Sequence, residues 1–490
     1  MKPNIIFILA DDMGYGDVSC LNPNGKIPTP NIDRIAKEGI KFTDAHSSSA
    51  ICSPSRYSVL TGRYCWRKME RGIVGVYGDP IIPPTRMTVA NMLKAQGYDT
   101  ACFGKWHLGM GWNKTGETDG KLPIIDFEKP VTGGPMSNGF DEYFGVDVPN
   151  WPPYCYLEGS RTIGIPYGTS PFGISNEEIS IQGPCVDGWK LENILPDITG
   201  RACEYIHRKT KEDRPFFIYF PLTSPHTPLA VNDHWKGKSG LDNLYADFVM
   251  ETDAMIGRVL AALDESGAAG NTLIMFASDN GCAPCVGIPE LEAQGHFPSY
   301  IYRGRKFDAW DGGHRIPFVL RWPGTADAWR EYPHLVSLAD FFATAAEITG
   351  HETEDDAAED SVSFLPIIKG REQPLREYLV SHSSNGRFAV RRGKWKLILC
   401  PGSGSGGAGD ISPREAAERS ELPFQLYDME TGPNERSNIY LQHPEIAAEL
   451  RAELERIAGA GRSTPGKPQP NDLKSIDIDG IAEPIAFCEA

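Results

Sequence analysis

Four short apolar runs, each ending abruptly in polar residues, dominate the hydrophobic pattern of the chain. The pattern predicts strands over residues 4–10, 98–103, 215–220 and 272–277. Apolar residues are continuous in these runs instead of alternating with polar ones, which is typical of strands covered on both faces of a sheet. The runs therefore predict a buried central sheet.

Helical patterns separate these runs. Thr29 and Pro30 supply a cap and a first-turn proline, and Gly39 marks the end of the same helix. Residues 241–263 carry apolar side chains at a mostly helical spacing. This alternation predicts a doubly wound α/β core, with a mostly parallel sheet sandwiched by helices. In such a sheet ligands bind beyond the carboxyl ends of the strands, where the polar clusters fall.

A second pattern begins after about residue 370. Residues 387–399 alternate like an antiparallel hairpin, residues 424–428 form a strand pattern, and residues 444–457 form an amphipathic helix pattern. A glycine- and serine-rich loop spans residues 401–410. We therefore predict a catalytic domain over residues 1–372 and a small C-terminal α+β subdomain with an antiparallel sheet over residues 373–490.

Composition excludes several classes of partner. The 490 residues carry a net charge of −17, which disfavours binding to nucleic acid or to an acidic membrane surface. No apolar run approaches the roughly 20 residues needed to span a bilayer, and the first apolar run is too short for a signal peptide. We expect a cytoplasmic protein, or a periplasmic or secreted one if a signal peptide has been removed. The 11 cysteines show no disulfide spacing.

Two pairs of residues with side-chain oxygens follow predicted strands. Asp11 and Asp12 follow the first strand, and Asp279 and Asn280 follow the fourth. Together they offer an all-oxygen site, which favours Ca²⁺ or Mg²⁺ over zinc or copper. A single such pair is more often a solvated turn or a helix cap, but two pairs at strand ends favour a metal site.

The run Cys52-Ser53-Pro54-Ser55-Arg56 suggests a helix N-terminus. Pro54 suits the first turn, which places Cys52 where free amides and the helix dipole favour an anion, and Arg56 one turn later. Further candidates for the same pocket are basic residues within distinctive local motifs: Lys105, His107, His226 and Lys306.

The Cys-x-Pro-x-Arg motif and the Leu-Thr-Gly-Arg run after it resemble the signature of type I, formylglycine-dependent sulfatases. Further blocks are similar to that family in the same order: residues 10–17, 104–109, 224–228, 278–281 and 306–317. The resemblance covers residues 4 to about 324 and departs from the family at Phe307-Asp308-Ala309. We interpret that departure as a difference in the substrate pocket.

The resemblance implies an arylsulfatase-like enzyme with an alkaline-phosphatase-like fold. It also implies one divalent cation, usually Ca²⁺, held by Asp11, Asp12, Asp279, Asn280 and residue 52. Cys52 would be converted to formylglycine by a maturation enzyme, and its hydrate would attack the sulfur of a sulfate ester. Arg56, Lys105 and Lys306 would stabilise the sulfate oxygens, His226 would protonate the departing alcohol, and His107 would act as the base.

Two other functions stay open on the sequence. One is a phosphonate monoester or phosphodiester hydrolase of the same superfamily, and the other is a non-catalytic binder of sulfated glycans. The substrate is also open, because the aromatic-rich segment 151–189 suits a sugar sulfate, an aryl sulfate or a steroid sulfate. We favour a sugar sulfate. His314 and Arg315 are candidate substrate contacts.

Overall fold

A computed structural model of the chain describes residues 2–117, 122–170, 180–406, 413–419 and 421–479. Parts of two predicted segments, the 401–410 loop and the 151–189 segment, lie outside the described residues. The strands within the described part of the chain are β1 Asn4–Ala10, β2 Ile40–Phe42, β3 Ala45–His46, β4 Asp99–Lys105, β5 Lys114–Glu117, β6 Pro123–Ile125, β7 Glu142–Val146, β8 Leu157–Glu158, β9 Arg161–Thr162, β10 Gly168–Thr169, β11 Pro184–Cys185, β12 Phe216–Pro221, β13 Thr272–Ser278, β14 Phe318–Arg321, β15 Arg330–Tyr332, β16 Val336–Ser337, β17 Tyr378–His382, β18 Phe388–Arg392, β19 Trp395–Ile398 and β20 Gln425–Asp428. The α-helices are α1 Pro30–Lys37, α2 Cys52–Thr61, α3 Val89–Ala95, α4 Ile194–Lys209, α5 Leu244–Glu265, α6 Ile288–Ala293, α7 Asp311–His314, α8 Phe341–Thr349, α9 Leu365–Ile368, α10 Pro413–Glu418 and α11 Pro444–Ala460.

The main sheet is mixed, with a parallel centre. Its strand order is β15-β2-β14-β13-β1-β12-β4-β7-β8-β9. The central neighbours β13, β1, β12, β4 and β7 are all parallel, whereas β14 runs antiparallel to both β13 and β2. The four strands predicted from the apolar runs are β1, β4, β12 and β13, so their carboxyl ends meet at one edge of the sheet.

Both faces of this sheet are covered, as the continuous apolar runs predict. Ile5, Phe7 and Leu9 of β1 pack in one core with residues of α2, α3 and α8. Ile6 and Ile8 face the opposite core, with residues of α1, α4 and α5. The sheet is therefore the middle of three layers, which confirms the predicted α/β class.

The small C-terminal sheet is antiparallel, also as predicted. Its order is β17-β18-β19-β20, and Gly393 and Lys394 form the turn between β18 and β19. Helix α11 packs on one face of this sheet through Leu450, Leu454 and Ile457. No helix in the described part of the chain is long and apolar enough to cross a membrane.

Candidate active site

Two neighbouring parallel strands bring together the two pairs of predicted oxygen ligands. Ala10 at the end of β1 lies opposite Ser278 at the end of β13, so Asp11 and Asp12 lie beside Asp279 and Asn280. The N–H of Asp279 donates to the carbonyl of Ala10 at 3.1 Å, and the N–H of Asp12 donates to Asp279 Oδ1 at 3.1 Å. Asp12 itself has a φ of 67°, an uncommon left-handed conformation for a residue other than glycine.

Cys52 lies against these carboxylates. It is the first residue of α2, as predicted, and its Sγ lies 3.9 Å from Asp12 Oδ1. Potential ligand atoms of Asp11, Asp12, Cys52 and His226 lie within 4.8 Å of one another. Burial raises the pKa of the Cys52 thiol to about 12, although Lys105 and Lys306 oppose the shift. The unmodified side chain is therefore a neutral thiol at pH 7 and a poor nucleophile.

Three buried cations balance three buried carboxylates. Arg56 donates from Nε and Nη2 to Asp279 Oδ2, at 3.1 and 2.8 Å, and its Nη2 lies 3.0 Å from Asp11 Oδ1. Lys105 Nζ donates to both oxygens of Asp11, at 3.0 and 2.8 Å. Lys306 Nζ donates to Asp12 Oδ2 at 2.6 Å.

The titration of the carboxylates reflects this crowding. Burial opposes ionisation of Asp11, but Lys105, His226, Arg56 and Lys306 together outweigh it and hold the pKa of Asp11 well below its ordinary value. Burial raises the pKa of Asp279 to about 7, because the charges of Asp11 and Asp12 add to burial and Arg56 only partly offsets it. A divalent cation would relieve the repulsion among these carboxylates.

The residues present fit a hard cation. Asn280 Nδ2 donates to Asp12 Oδ1 at 2.8 Å and to the carbonyl of Gly281 at 3.0 Å. Its buried Oδ1 has no hydrogen-bond partner among the described residues. A buried amide oxygen without a partner costs free energy, and a cation coordinated by it and the neighbouring carboxylates would remove that cost.

Two histidines border the same cluster, and each contacts a backbone carbonyl. His226 Nδ1 contacts the carbonyl of Thr227, and its Nε2 lies 3.6 Å from Asp12 Oδ2. His107 Nε2 lies 3.1 Å from the carbonyl of Val74, and its buried Nδ1 has no hydrogen-bond partner in the described part of the chain. Burial lowers the pKa of His226 to about 4. Burial and the charges of Lys105 and Arg56 hold the pKa of His107 well below its ordinary value.

Asp147 lies beside the site but is not among the residues predicted from the sequence. This half-buried carboxylate follows β7 and accepts from the N–H of His107 at 3.1 Å, and desolvation raises its pKa to about 6. The signal was available, because Asp147 follows a short strand just as Asp11 follows β1. The ring of Trp151, within the predicted aromatic segment, packs edge-on against the ring of His107, with centroids 5.4 Å apart.

His314 and Arg315, predicted as substrate contacts, lie instead in a separate buried network. Arg315 Nη1 is 2.9 Å from both Asp44 Oδ1 and Asp311 Oδ2. His314 Nδ1 is 3.0 Å from His46 Nδ1, and its Nε2 is 3.2 Å from Lys396 Nζ. Both side chains pair with structural partners in this network, which disfavours the predicted contact with substrate. The side chains of His46, Asp311 and His314 lie close enough together to hold a metal ion. The ammonium of Lys396 already balances the charge of Asp311, which disfavours a cation there.

Comparisons with known proteins show the family and the fold of the chain. A family model described as Sulfatase matches residues 3–351. An N-acetylgalactosamine-6-O-sulfatase of Bacteroides thetaiotaomicron is 34% identical over 93% of this chain and 93% of its own length. A steryl-sulfatase of Mus musculus is 30% identical over 96% of this chain and 84% of its own length.

A solved structure from work on glycosaminoglycan metabolism by Bacteroides thetaiotaomicron has the same fold. It matches with a TM-score of 0.80 and 31% identity, covering 93% of this chain and 99% of that chain. The fold and the cluster around Cys52 therefore define a hydrolase of the alkaline phosphatase superfamily. The chain belongs to the sulfatase family, and its reaction is the hydrolysis of sulfate esters.

Proposed function

We propose that this enzyme removes sulfate from a sulfated sugar, with a 6-O-sulfated N-acetylgalactosamine as the first candidate. The similarity to the Bacteroides thetaiotaomicron N-acetylgalactosamine-6-O-sulfatase over nearly the whole of both chains supports this substrate. The observation that carries the reaction is the position of Cys52. It lies at a helix N-terminus beside Asp12, with the ammonium groups of Lys105 and Lys306 close enough to oppose the rise in its pKa.

The cation we propose is Ca²⁺, with Mg²⁺ as the alternative. Its ligands would be side-chain oxygens of Asp11, Asp12, Asp279 and Asn280, together with residue 52. Two observations support this assignment: Asn280 Oδ1 has no hydrogen-bond partner among the described residues, and the carboxylates of Asp11 and Asp12 lie close together. When bound, the cation would supply positive charge for the attacking oxygen and for the sulfate group.

We propose that a maturation enzyme converts Cys52 to formylglycine, as the family implies. The hydrated aldehyde would supply two hydroxyls, one to attack sulfur and one whose deprotonation releases sulfate. The buried thiol present in the unmodified chain, with its raised pKa, supports the need for such a change.

Three cations would bind the sulfate oxygens. Arg56, Lys105 and Lys306 are each held in place by a carboxylate, so they need little rearrangement when charge develops on the sulfate. Preorganised positive groups of this kind stabilise developing negative charge more effectively than water does. A substrate anion would take over part of their present pairing with Asp11, Asp12 and Asp279.

The histidines would move protons at defined atoms. Because Nδ1 of His226 contacts a carbonyl, its Nε2 is the atom left to face the departing oxygen. An anionic substrate beside Nε2 favours the protonated ring, which would then give this proton to the alcohol. Likewise the carbonyl of Val74 assigns the proton of neutral His107 to Nε2, which leaves Nδ1 as the base.

The proposed division into residues 1–372 and 373–490 accompanies this function, with the small sheet closing one side of the catalytic domain. The cellular compartment stays a prediction.

A panel of substrates tests the proposed function. Sulfate release would be measured with N-acetylgalactosamine 6-sulfate, N-acetylgalactosamine 4-sulfate, a nitrophenyl sulfate and a steroid sulfate, and nitrophenol release would be measured with a nitrophenyl phosphonate. We expect the highest kcat/KM on the 6-sulfated sugar. A higher kcat/KM on the steroid sulfate would contradict the sugar assignment, and preference for the phosphonate would contradict sulfatase activity as the main reaction.

A further inference from the structure

Phe307 stands where the chain departs from the family pattern, and its backbone is tightly held. Its N–H donates to the carbonyl of Ala50 at 2.8 Å, two residues before the nucleophile position. Its carbonyl accepts from the N–H of Ser384, after β17 of the small sheet, at 3.0 Å. Phe307 therefore joins the segment that carries Cys52 to the C-terminal part of the molecule.

The conformation of Phe307 is costly for an aromatic residue. Its φ is 85°, in the left-handed region that favours glycine. Such backbone strain persists only where the surroundings impose it, and it concentrates at functional sites. A glycine would adopt this conformation without strain, so the phenyl ring needs a reason to be there.

The ring lies beside the reacting groups and is only partly buried. Its centroid is 5.3 Å from Lys306 Nζ, the ammonium that bonds Asp12 Oδ2 at 2.6 Å. His226 Nε2, the proposed proton donor to the leaving alcohol, is 3.6 Å from the same carboxylate oxygen. The ring therefore borders the space that the alcohol portion of the substrate must occupy.

We propose that the Phe307 ring is the platform on which the sugar ring carrying the scissile sulfate stacks, an inference that rests on the proposed function. The C–H face of a pyranose is apolar and packs on the face of an aromatic ring, whereas the sulfate group points into the cationic cluster. Phe307 would then determine affinity for the sugar ring and not for sulfate itself.

Three substitutions separate this role from a structural one. Phe307→Leu removes the aromatic face, Phe307→Tyr retains it, and Phe307→Gly also removes the backbone strain. Phe297→Leu is the matched control, because Phe297 is a 45% exposed phenylalanine that contacts none of the proposed site residues among the contacts described. Each protein, matured at residue 52, would be assayed for kcat and KM on N-acetylgalactosamine 6-sulfate, for inhibition by inorganic sulfate, and for thermal midpoint.

We expect Phe307→Leu and Phe307→Gly to raise KM about tenfold, as expected for loss of one stacking contact. Inhibition by inorganic sulfate should stay within about twofold of wild type, and Phe307→Tyr and Phe297→Leu should behave like wild type. The thermal midpoint of Phe307→Gly should stay close to that of wild type, because relief of the left-handed strain offsets the greater freedom of glycine in the unfolded chain.

Two results would overturn the inference. One is an unchanged KM for both Phe307→Leu and Phe307→Gly, and the other is an equal weakening of sugar and sulfate binding. A wild-type enzyme without activity on the sulfated sugar would contradict the proposed function, and the stacking with it. An active wild-type enzyme that is indifferent to Phe307→Leu would contradict the stacking alone.

Discussion

The ammonium of Lys396, on β19 of the small sheet, lies 2.6 Å from Asp311 Oδ1, at the start of α7. The same nitrogen is 2.7 Å from Glu435 Oε1, and all three side chains are fully or almost fully buried. Asp311 follows Lys306 by five residues, so this contact joins the small sheet directly to the segment that supplies a cation to the active site.

Replacing Lys396 by methionine should strongly destabilise the protein. The change leaves Glu435 buried without its cation and leaves Asp311 to its contact with Arg315, and burial already raises the pKa of Glu435 to about 7. Loss of one partner from a buried ion pair typically costs about 3–5 kcal/mol. Denaturant unfolding would measure this cost.

Lys394→Met is the matched control for Lys396→Met. Lys394 pairs with Asp428 at 2.7 Å, but its side chain is 38% exposed, so its loss should cost at most about 1 kcal/mol. Equal free energies of unfolding for the two variants would show that the buried contact does not hold the small sheet in place.

His382 should make the protein less stable in mild acid. This ring is fully buried, its Nδ1 lies 2.9 Å from the carbonyl of Ser383, and its Nε2 has no hydrogen-bond partner within the described residues. Burial lowers its pKa to about 4. In the unfolded chain this imidazole binds a proton near pH 6.5. The stability that depends on the neutral buried ring is therefore complete above about pH 6.5, and roughly 3 kcal/mol of it is lost as pH falls toward 4.

His382→Gln should therefore flatten the dependence of the unfolding free energy on pH between about 6.5 and 4. The comparison concerns the slope, because the substitution also changes packing. His443→Gln is the control, since His443 has a 42% exposed side chain. If His382→Gln retained the wild-type slope, the buried imidazole would not be the source of the acid sensitivity.

The central strands could be predicted because their signal is local. Residues 4–10 form β1 with the predicted bounds, and the other three strands differ from the prediction by only one or two residues at either end. Continuous apolar runs report burial on both faces, and the sheet has that environment. The polar residues after these runs meet because parallel neighbours place their carboxyl ends at one edge.

The network around Lys396 could not be predicted, because its members come from distant parts of the chain. Lys396 belongs to an alternating hairpin, where a lysine usually faces solvent, and only the packing of the small sheet on α7 buries it. The same contact explains why His314 is a structural residue. The residues around His314 resemble a catalytic block of the family, but the sequence does not show how far His314 lies from Lys396.

Removal of divalent cations should lower both activity and stability. Asp12 contacts both Asp279 and Asn280, and Asn280 Oδ1 has no hydrogen-bond partner among the described residues. A cation bound there would stabilise only the folded protein. At a Ca²⁺ concentration about 100 times its Kd, the stabilisation is about 2.7 kcal/mol. This stabilisation is measured by thermal unfolding in chelator and again after Ca²⁺ or Mg²⁺ is returned. An unchanged thermal midpoint would contradict the proposed metal site.

Arg56→Lys should lower kcat/KM by about 10²–10³-fold, in the range found when one preorganised donor to a developing charge is lost. Lysine cannot reproduce the two-nitrogen contact with Asp279 Oδ2 while also reaching Asp11. Arg34→Lys is the control, because the side chain of Arg34 is 38% exposed and pairs with Glu38. Near-wild-type kcat/KM for Arg56→Lys would remove Arg56 from the sulfate-binding group.

The most direct test is the mass of the peptide that contains residue 52, measured on protein from its native host together with sulfate release. We predict a peptide mass about 18 Da below that of the unmodified peptide and sulfate release that depends on a divalent cation. We also predict loss of turnover in Cys52→Ala and Cys52→Ser without unfolding. An unmodified thiol in an active enzyme, or multiple turnover by either variant, would contradict the proposed nucleophile.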